Sequence, residues 1–277
     1  MTADDLIQAL TLSTSEGWNQ TMNDWRFLSE NPDNVCIVAE QRNTIIGTAT
    51  ALNYSNKVAW IGMVLVDKQF RGLGVGKLLM TSTIDMLRTF ESVKLDATPA
   101  GYPLYQKLGF LDELILYRMT NPSFSADPRF EPGSKVEAII DKNLSQLLEM
   151  DSKTSGLDRS MLLRYLQGNY PGKAFMAMKG DRIEGYIFGR DGLRFNYLGP
   201  VVAKSDHEAI RLIMTTLDKL KGQAVALDIF QDKTEVIKWL ESVGFTIQRQ
   251  FTRMYLRSNP CDGLAANQYL IAGPEFG

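Results

Sequence analysis

The distribution of apolar residues divides the chain into short strands that alternate with helices. Segments rich in β-branched and apolar residues predict strands at 35–40, 45–52, 58–66, 93–97 and 114–119. Apolar residues at helical spacing predict helices at 6–10, 22–28, 74–90 and 102–108. Strands and helices in this order predict a mixed sheet with helices on both faces.

The second half of the chain repeats the order of the first, and short motifs recur with it. Gly109 is followed by Arg118-Met119, and Gly244 is followed at the same distance by Arg253-Met254. Two further pairs of segments match upstream, namely 61–64 with 198–201 and 94–97 with 226–229. Matches in the same order and at similar spacing predict a duplicated fold.

A proline-rich segment separates the two halves. Residues 121–133 contain three prolines and little apolar periodicity, which is typical of a linker. We therefore expect an N-terminal domain at 1–122 and a C-terminal domain at 134–277. The predicted fold class is α/β (α+β), with two tandem domains that each have a mixed central sheet flanked by helices.

Composition and charge argue against several classes of protein. The formal net charge is −2, so no global field favours nucleic acid or an acidic membrane. The start of the chain lacks the features of a signal peptide, and the longest apolar run, 58–66, is too short to cross a bilayer. Cys36 and Cys261 lie far apart without a neighbouring histidine, which argues against a disulfide framework or a metal site. We expect a soluble protein of the reducing cytoplasm.

The segment from Asp67 to Lys77, between a predicted strand and a predicted helix, carries the strongest chemical signal. It contains three glycines within five residues, and these let the backbone approach a ligand closely. The helix that follows presents free N–H groups and the positive end of its dipole, and Arg71 and Lys77 add charge. This combination predicts a pyrophosphate site, with a glycine turn that binds nothing as the alternative.

Two common phosphate-binding motifs do not fit this loop. A Walker-type loop needs a hydroxyl side chain after Lys77, but Leu78 stands there, so hydrolysis of a nucleoside triphosphate is disfavoured. The glycine spacing also fails the G-x-G-x-x-G fingerprint of dinucleotide-binding proteins.

The pattern R-x-x-G-x-G does fit, with Arg71, Gly74 and Gly76, and it resembles motif A of the GNAT superfamily of acyl-coenzyme A-dependent N-acyltransferases. The run at 105–110, YQKLGF, is similar to the run that closes such domains. These motifs cover roughly residues 1–120. Segments at 17–21, 198–201 and 271–277 are similar to those of a tandem subgroup with a second, divergent GNAT domain.

The resemblance implies how acetyl-CoA is held. Its pantetheine would pair with the main chain of Val64, Leu65 and Val66 as an added strand does. The amides of the glycine loop would hold the pyrophosphate, and these belong to Arg71, Gly72, Leu73, Gly74, Val75, Gly76 and Lys77. The implied reaction is direct attack of a primary amine, small or in a side chain, on the thioester, without a metal ion.

The resemblance also implies roles for individual side chains. Tyr105 matches the position of the acid that protonates the leaving thiolate, with an aromatic lid over the helix as the alternative. No base is evident; Asp96 could accept a proton through water or cap the next turn. Trp18, Asn19 and Asp24 lie where this family places acceptor contacts, and an aromatic ring beside an acid can hold a cationic amine. Ordinary helix packing is the alternative.

The second half lacks the features that bind coenzyme A. The equivalent segment, 201–209, has no glycine and two acids, which disfavours a phosphate group. We expect Asp206 to be the N-cap of the next helix and Pro200 to interrupt the strand that would pair with pantetheine. Three sites in this half could line a shared cleft or serve only structure, namely Tyr197, Asp228 and 273–275.

The resulting hypothesis is an acetyl-CoA-dependent N-acetyltransferase whose first domain is active. A non-catalytic acyl-CoA sensor, in which the second domain reports occupancy to a partner, is the main alternative. A nucleotide-binding protein is a third.

Overall fold

The computed structural model describes residues 1–125, 136–260 and 263–277. The first half contains strands β1 (Val35–Gln41), β2 (Thr44–Tyr54), β3 (Val58–Val66), β4 (Ser92–Ala97) and β5 (Leu111–Asn121) and helices α1 (Leu6–Ser15), α2 (Met22–Glu30), α3 (Val75–Met86) and α4 (Tyr102–Lys107). The second half contains strands β6 (Val136–Ala138), β7 (Phe175–Lys179), β8 (Arg182–Arg190), β9 (Asn196–Ala203), β10 (Val225–Phe230), β11 (Thr246–Arg257) and β12 (Gln268–Leu270) and helices α5 (Asp141–Ser155), α6 (Ser160–Asn169), α7 (Asp206–Asp218) and α8 (Thr234–Ser242).

The predicted elements are present, with differences at their ends. The predicted helix at 74–90 stops earlier, because Leu87 leaves the helical conformation and the amides of Arg88 and Phe90 bond to carbonyl groups three residues back. The predicted strand at 114–119 is longer than expected because it pairs with β11 from Leu111 to Thr120 and with β10 from Leu116 to Asn121. Most of the predicted linker, and Cys261, fall outside the described residues.

All the strands of the described chain join one sheet in the order β1-β2-β3-β4-β11-β5-β10-β12-β9-β8-β7-β6. Strand β11 of the second half lies between β4 and β5 and is antiparallel to both. Strand β5 of the first half pairs in turn with β10 of the second. The mixed sheet predicted for each half is confirmed, and the two halves exchange their last long strands. We keep 1–122 and 134–277 as a proposed division of the chain.

Two buried ion pairs join the halves at this exchange. Arg253 on β11 donates two hydrogen bonds to Asp96 on β4, at 2.9 and 3.0 Å. Arg118 on β5 donates two to Asp228 on β10, at 2.8 and 2.6 Å. Both arginines and both aspartates are equivalent positions of the internal repeat. Each half therefore supplies the cation for the other half's acid.

The sheet separates the helices into groups on opposite faces. In the first half, α1 and α2 pack in a core with Trp60, whereas α3 and α4 pack in another with Ile61. Neighbouring residues of a strand point to opposite faces, so these cores lie on opposite sides of β3. The core around Trp60 also contains side chains of α5 and α6, so it belongs to both halves.

The end of the chain fills a gap within the second half. Strand β12 pairs with β9 on one side and with β10 on the other. A Cβ atom added to Gly199 would lie 1.9 Å from the carbonyl oxygen of Ile271, so only glycine allows the tail to pass there. This gap corresponds to the one in which pantetheine was expected to lie in the first half, and here the protein's own backbone occupies it.

Two expectations for the second half are wrong in detail. Pro200 does not interrupt its strand, because β9 continues through it at an irregularity between Val201 and Leu198 that tolerates a missing N–H. Asp206 is not the N-cap of α7. Ser205 is the last extended residue, and its hydroxyl accepts the amide of Glu208 at 3.3 Å.

Across the described ranges, no helix has the length and apolar character needed to cross a membrane. The same residues contain no group of three or more histidine, cysteine, aspartate or glutamate side chains arranged to hold a metal ion.

Candidate active site

Strands β3 and β4 separate to form a groove in the first half. They are parallel and pair only as far as Ile61 and Leu95. Beyond Ile61, β3 contains a bulge, because Met63 and Val64 together face a single residue of β2. Met63 has a φ of +51°, in the left-handed region, so the bulge turns the backbone at the point where the strands part. In the part of the chain that the structure describes, no strand fills this groove, unlike its counterpart in the second half.

The glycine loop lies at the start of α3, beyond the end of β3. Gly72 and Gly74 have φ values of +78° and +88°, which only glycine adopts without strain. A Cβ atom added to either would meet no atom within 4 Å, so the loop is open to a ligand. The first turn of α3 has amide groups with no acceptor within the helix, and its dipole favours an anion.

The predicted donor-binding residues lie at the end of β3 and in the loop and first turn of α3 that follow it. The Nε of Arg71 donates to the carbonyl oxygen of Val66 at 3.1 Å, and its Nη2 lies 2.7 Å from Glu16. Leu73 and Lys77 are exposed, and Val64 lines the cavity described below. Leu65 is buried and pairs with β2 on the side away from the groove. These residues would suit a coenzyme A molecule, because open loop amides could bind a diphosphate and an unpaired strand edge could pair with pantetheine.

A cavity of about 100 Å³ lies at the inner end of the groove, between the two halves of the chain. Tyr105 of α4 lines it and is only 8% exposed. Burial raises the pKa of the Tyr105 hydroxyl to about 12. This hydroxyl has no hydrogen-bond partner among the described residues. The first half contributes further to the walls with Trp18, Asn19, Gly62 and Thr98, and the second half with Tyr197, Phe251, Pro274 and Glu275.

The C-terminal tail reaches this cavity from the second half. The indole of Trp60 donates to the carbonyl oxygen of Pro274 at 3.0 Å, and the hydroxyl of Tyr54 donates to that of Phe276. Glu275 is 2% exposed, pairs with Arg190 through one carboxylate oxygen, and leaves the other without a partner. Of the residues considered for a shared cleft, Tyr197, Pro274 and Glu275 line the cavity, whereas Asp228 and Gly273 are not part of its wall.

We expect Gly62→Ala to loosen this tail. The added Cβ atom would lie 2.7 Å from the Cα atom of Glu275, which is backbone that must move. The free energy of unfolding should fall by about 1–3 kcal/mol, and carboxypeptidase should remove the tail faster. Gly168→Ala, where no atom lies within 4 Å, is the control and should not destabilise. Equal stability of the two variants would contradict this account.

The three predicted acceptor residues have different surroundings. Trp18 and Asn19 line the cavity. Asn19 also holds a loop of the second half, because its side chain accepts the amides of Arg194 and Phe195 at 2.9 Å each. Asp24 is not part of the cavity wall.

Asp24 lies fully buried in the capping box of α2 and pairs with Arg190 at 2.8 Å. Burial raises the pKa of Asp24 in spite of Arg190. An acceptor role for all three residues stays a prediction.

Sequence reasoning missed the basic residues of the cavity. Arg118, Arg194 and Arg249 line it, and the last two belong to the second half. Arg249 lies on β11, the exchanged strand, so no local pattern could have placed it beside the first half's groove. Asp96, considered as a base, has both carboxylate oxygens engaged by Arg253.

Comparison with known proteins identifies relatives of both halves of the chain. The Acetyltransferase (GNAT) family model matches residues 3–110, and the Acetyltransferase (GNAT) domain model matches residues 147–270. A solved structure from Pyrococcus horikoshii, described as an acetyltransferase, has a TM-score of 0.83 at 22% identity over 100% of this chain and 94% of its own. At that identity the likeness shows the fold.

Two relatives share 26% identity with this chain. One is the uncharacterized N-acetyltransferase YitH of Bacillus subtilis, aligned over 67% of this chain and 65% of its own length, slightly less than two thirds. The other is the holothin acyltransferase of Pseudoalteromonas sp., aligned over 84% of this chain and 78% of its own length. With both halves matched by family models, the predicted resemblance is confirmed: this chain belongs to the GNAT acetyltransferase family and carries two GNAT domains in tandem.

Proposed function

We propose that the protein is an acetyl-CoA-dependent N-acetyltransferase that moves an acetyl group to a primary amine by direct attack. The observation that carries the proposal is the open groove of the first half, which runs from the glycine loop to the cavity lined by Tyr105. The equivalent groove of the second half is filled by β12. The names of the two relatives, an N-acetyltransferase and an acyltransferase, agree with acyl transfer.

The donor is held by backbone more than by side chains. The amides of Arg71 through Lys77 bind the diphosphate, and the free edge of β3 at Val64 and Val66 pairs with the pantetheine. Bound acetyl-CoA supplies an activated thioester. The bulge at Met63 turns the main chain at the point where the groove opens, and a main-chain N–H there would stabilise negative charge on the carbonyl oxygen of a bound thioester.

Tyr105 provides the proton donor on the opposite side. Because burial raises its pKa to about 12, the hydroxyl keeps its proton at neutral pH. A thiolate of ordinary pKa, about 8.5, leaves more readily when it accepts a hydrogen bond as the bond to carbon breaks. Trp18 and Asn19 form the wall toward the acceptor, and their side of the cavity is where the amine enters.

Thiol release with a panel of amines tests this function. An enzyme releases coenzyme A only when acetyl-CoA and a suitable amine are both present. A non-catalytic sensor binds acetyl-CoA and releases no thiol with any acceptor, and that result would refute the proposal.

We expect Arg71→Glu to weaken coenzyme A binding by about tenfold or more, because reversal of charge beside the diphosphate removes a charge-assisted interaction. Calorimetry with coenzyme A measures the dissociation constant. Arg88→Glu, the same charge change just beyond the other end of α3 at an exposed residue, is the control and should bind normally. Unchanged affinity in Arg71→Glu would show that the loop is not the donor site.

A further inference from the structure

Three arginines of the described chain line the cavity, and only one of them forms an ion pair with an acidic side chain. They are Arg118, Arg194 and Arg249. Asp228 compensates Arg118 through two hydrogen bonds. Within the described residues, neither Arg194 nor Arg249 has an acidic partner. Arg194 is exposed and donates to the carbonyl oxygen of Gly17 at 3.2 Å, whereas Arg249 is half-buried and has no ion-pair partner in the part of the chain that the structure describes.

The surroundings of Arg249 bear most directly on what the cavity binds. Its side chain is half-buried, and its nearest aromatic contact is the ring of Phe251, with the guanidinium carbon 5.9 Å from the ring centre. Burial and the nearby charges of Arg118 and Arg194 lower the pKa of Arg249 in spite of the charge of Asp228, which forms its ion pair with Arg118, although an arginine remains charged at neutral pH. A partly desolvated cation without a partner is unfavourable, and an anionic ligand would relieve that cost.

The C-terminal tail contributes an acidic group to the cavity wall. Glu275 lines the cavity, and its second carboxylate oxygen has no hydrogen-bond partner. Glu275 and Asp24 share one guanidinium, that of Arg190, so two buried carboxylates face one cation. A protonated amine is attracted to such a group. The cavity wall thus contains both arginine side chains and a buried carboxylate oxygen without a hydrogen-bond partner.

We infer that the acceptor is a primary amine that also carries an anionic group, as an amino acid does. The anionic group binds Arg249 and Arg194, and the amine points toward Glu275 and the open end of β3. This inference rests on the proposed function. It also gives the second half a role, because both arginines and Glu275 belong to it.

Matched acceptors test the inference. The pairs 4-aminobutyrate with butylamine and 2-aminoethyl phosphate with ethylamine differ in the anionic group. In the wild type, kcat/KM for thiol release should favour the anionic member by about tenfold to a hundredfold, as for one charge-assisted hydrogen-bonding group. In Arg249→Gln the preference should fall mainly through a higher KM, because the lost contact exists before and during reaction. Arg88→Gln, at an exposed site, is the control.

A binding measurement distinguishes the failure of this inference from the failure of the proposed function. Calorimetry of 4-acetamidobutyrate with the coenzyme A complex should show binding that Arg249→Gln weakens by the same factor. If the wild type releases no thiol but still shows this binding, the catalytic proposal fails and the anion site stands.

If butylamine and 4-aminobutyrate react equally well in both proteins, the catalytic proposal stands and the inference is overturned. If Arg249→Gln weakens coenzyme A instead, the arginine serves the donor and the inference is also overturned.

Discussion

Replacement of Arg253 with methionine is expected to lower the free energy of unfolding by about 3–5 kcal/mol, because it leaves the buried carboxylate of Asp96 without its counter-ion. The Asp96 side chain is completely buried, and both its oxygens accept hydrogen bonds from Arg253. Chemical denaturation followed by two independent probes measures the change, since both must report one transition before a free energy is assigned.

The loss of unfolding free energy in Arg253→Met should change with pH. Burial raises the pKa of Asp96 even with Arg253 present, and removal of the cation raises it further. A carboxyl whose pKa is higher in the folded state stabilises the fold while it is protonated, and this contribution is lost as pH rises through that pKa. The deficit of Arg253→Met should therefore be smaller at pH 5 than at pH 8.

Two controls isolate the buried pair. Lys153→Met removes a cation from an ion pair with Glu149 whose side chains are 69% and 67% exposed, and it should cost less than about 1 kcal/mol. The double variant Asp96→Leu/Arg253→Met removes both charges and should recover most of the lost stability. A cost in Arg253→Met no larger than that in Lys153→Met would show that this pair does not hold the halves together.

A second buried ion pair, between Arg118 and Asp228, joins the two halves in the same way. Each pair joins a strand of one half to a strand of the other. The same strands carry Arg249 and Arg118 into the cavity. Strand exchange therefore both joins the halves and builds the acceptor side of the site, so a loss of stability at the exchange should also disturb acceptor binding.

Local signals were sufficient to predict most elements of the fold. The apolar run at Val58–Val66 coincides with β3 at both ends, because β-branched and apolar residues suit a buried strand. The repeat also identified Asp96 with Asp228 and Arg118 with Arg253. That these residues pair across the halves could not be predicted, because strand order depends on contacts between distant parts of the chain. Sequence reasoning considered Asp96 as a base or a turn cap instead.

The glycine loop and the acceptor wall of the candidate site also differ in whether local sequence predicts them. The glycine loop could be predicted because the left-handed conformations of Gly72 and Gly74 follow from their lack of a side chain. The acceptor wall could not, because Arg249 and Glu275 reach it through strand exchange and the path of the tail. The surroundings of Asp24 also could not be predicted from local sequence: the family resemblance places it with Trp18 and Asn19 in an amine site, but its partner is Arg190 of the other half.

Tyr105→Phe is expected to reduce kcat for thiol release by about a hundredfold or more, the usual range for loss of a positioned proton donor. The structure predicts little cost in stability, because the hydroxyl has no partner among the described residues and the ring keeps its contact with Phe110, at 6.2 Å between centres. The dissociation constant of coenzyme A should not change. Because the Tyr105 pKa is about 12, wild-type kcat should show no loss from its ionisation below about pH 10.

A neighbouring tyrosine supplies the control for the expected loss of kcat in Tyr105→Phe. Tyr102 lies on the same helix, and its hydroxyl donates to Asp112 at 2.7 Å, outside the cavity that Tyr105 lines. Tyr102→Phe should retain normal kcat, so a loss confined to Tyr105→Phe reports the cavity hydroxyl and not the helix. If Tyr105→Phe keeps full activity, its ring only closes the cavity, and the leaving thiolate must receive its proton from water.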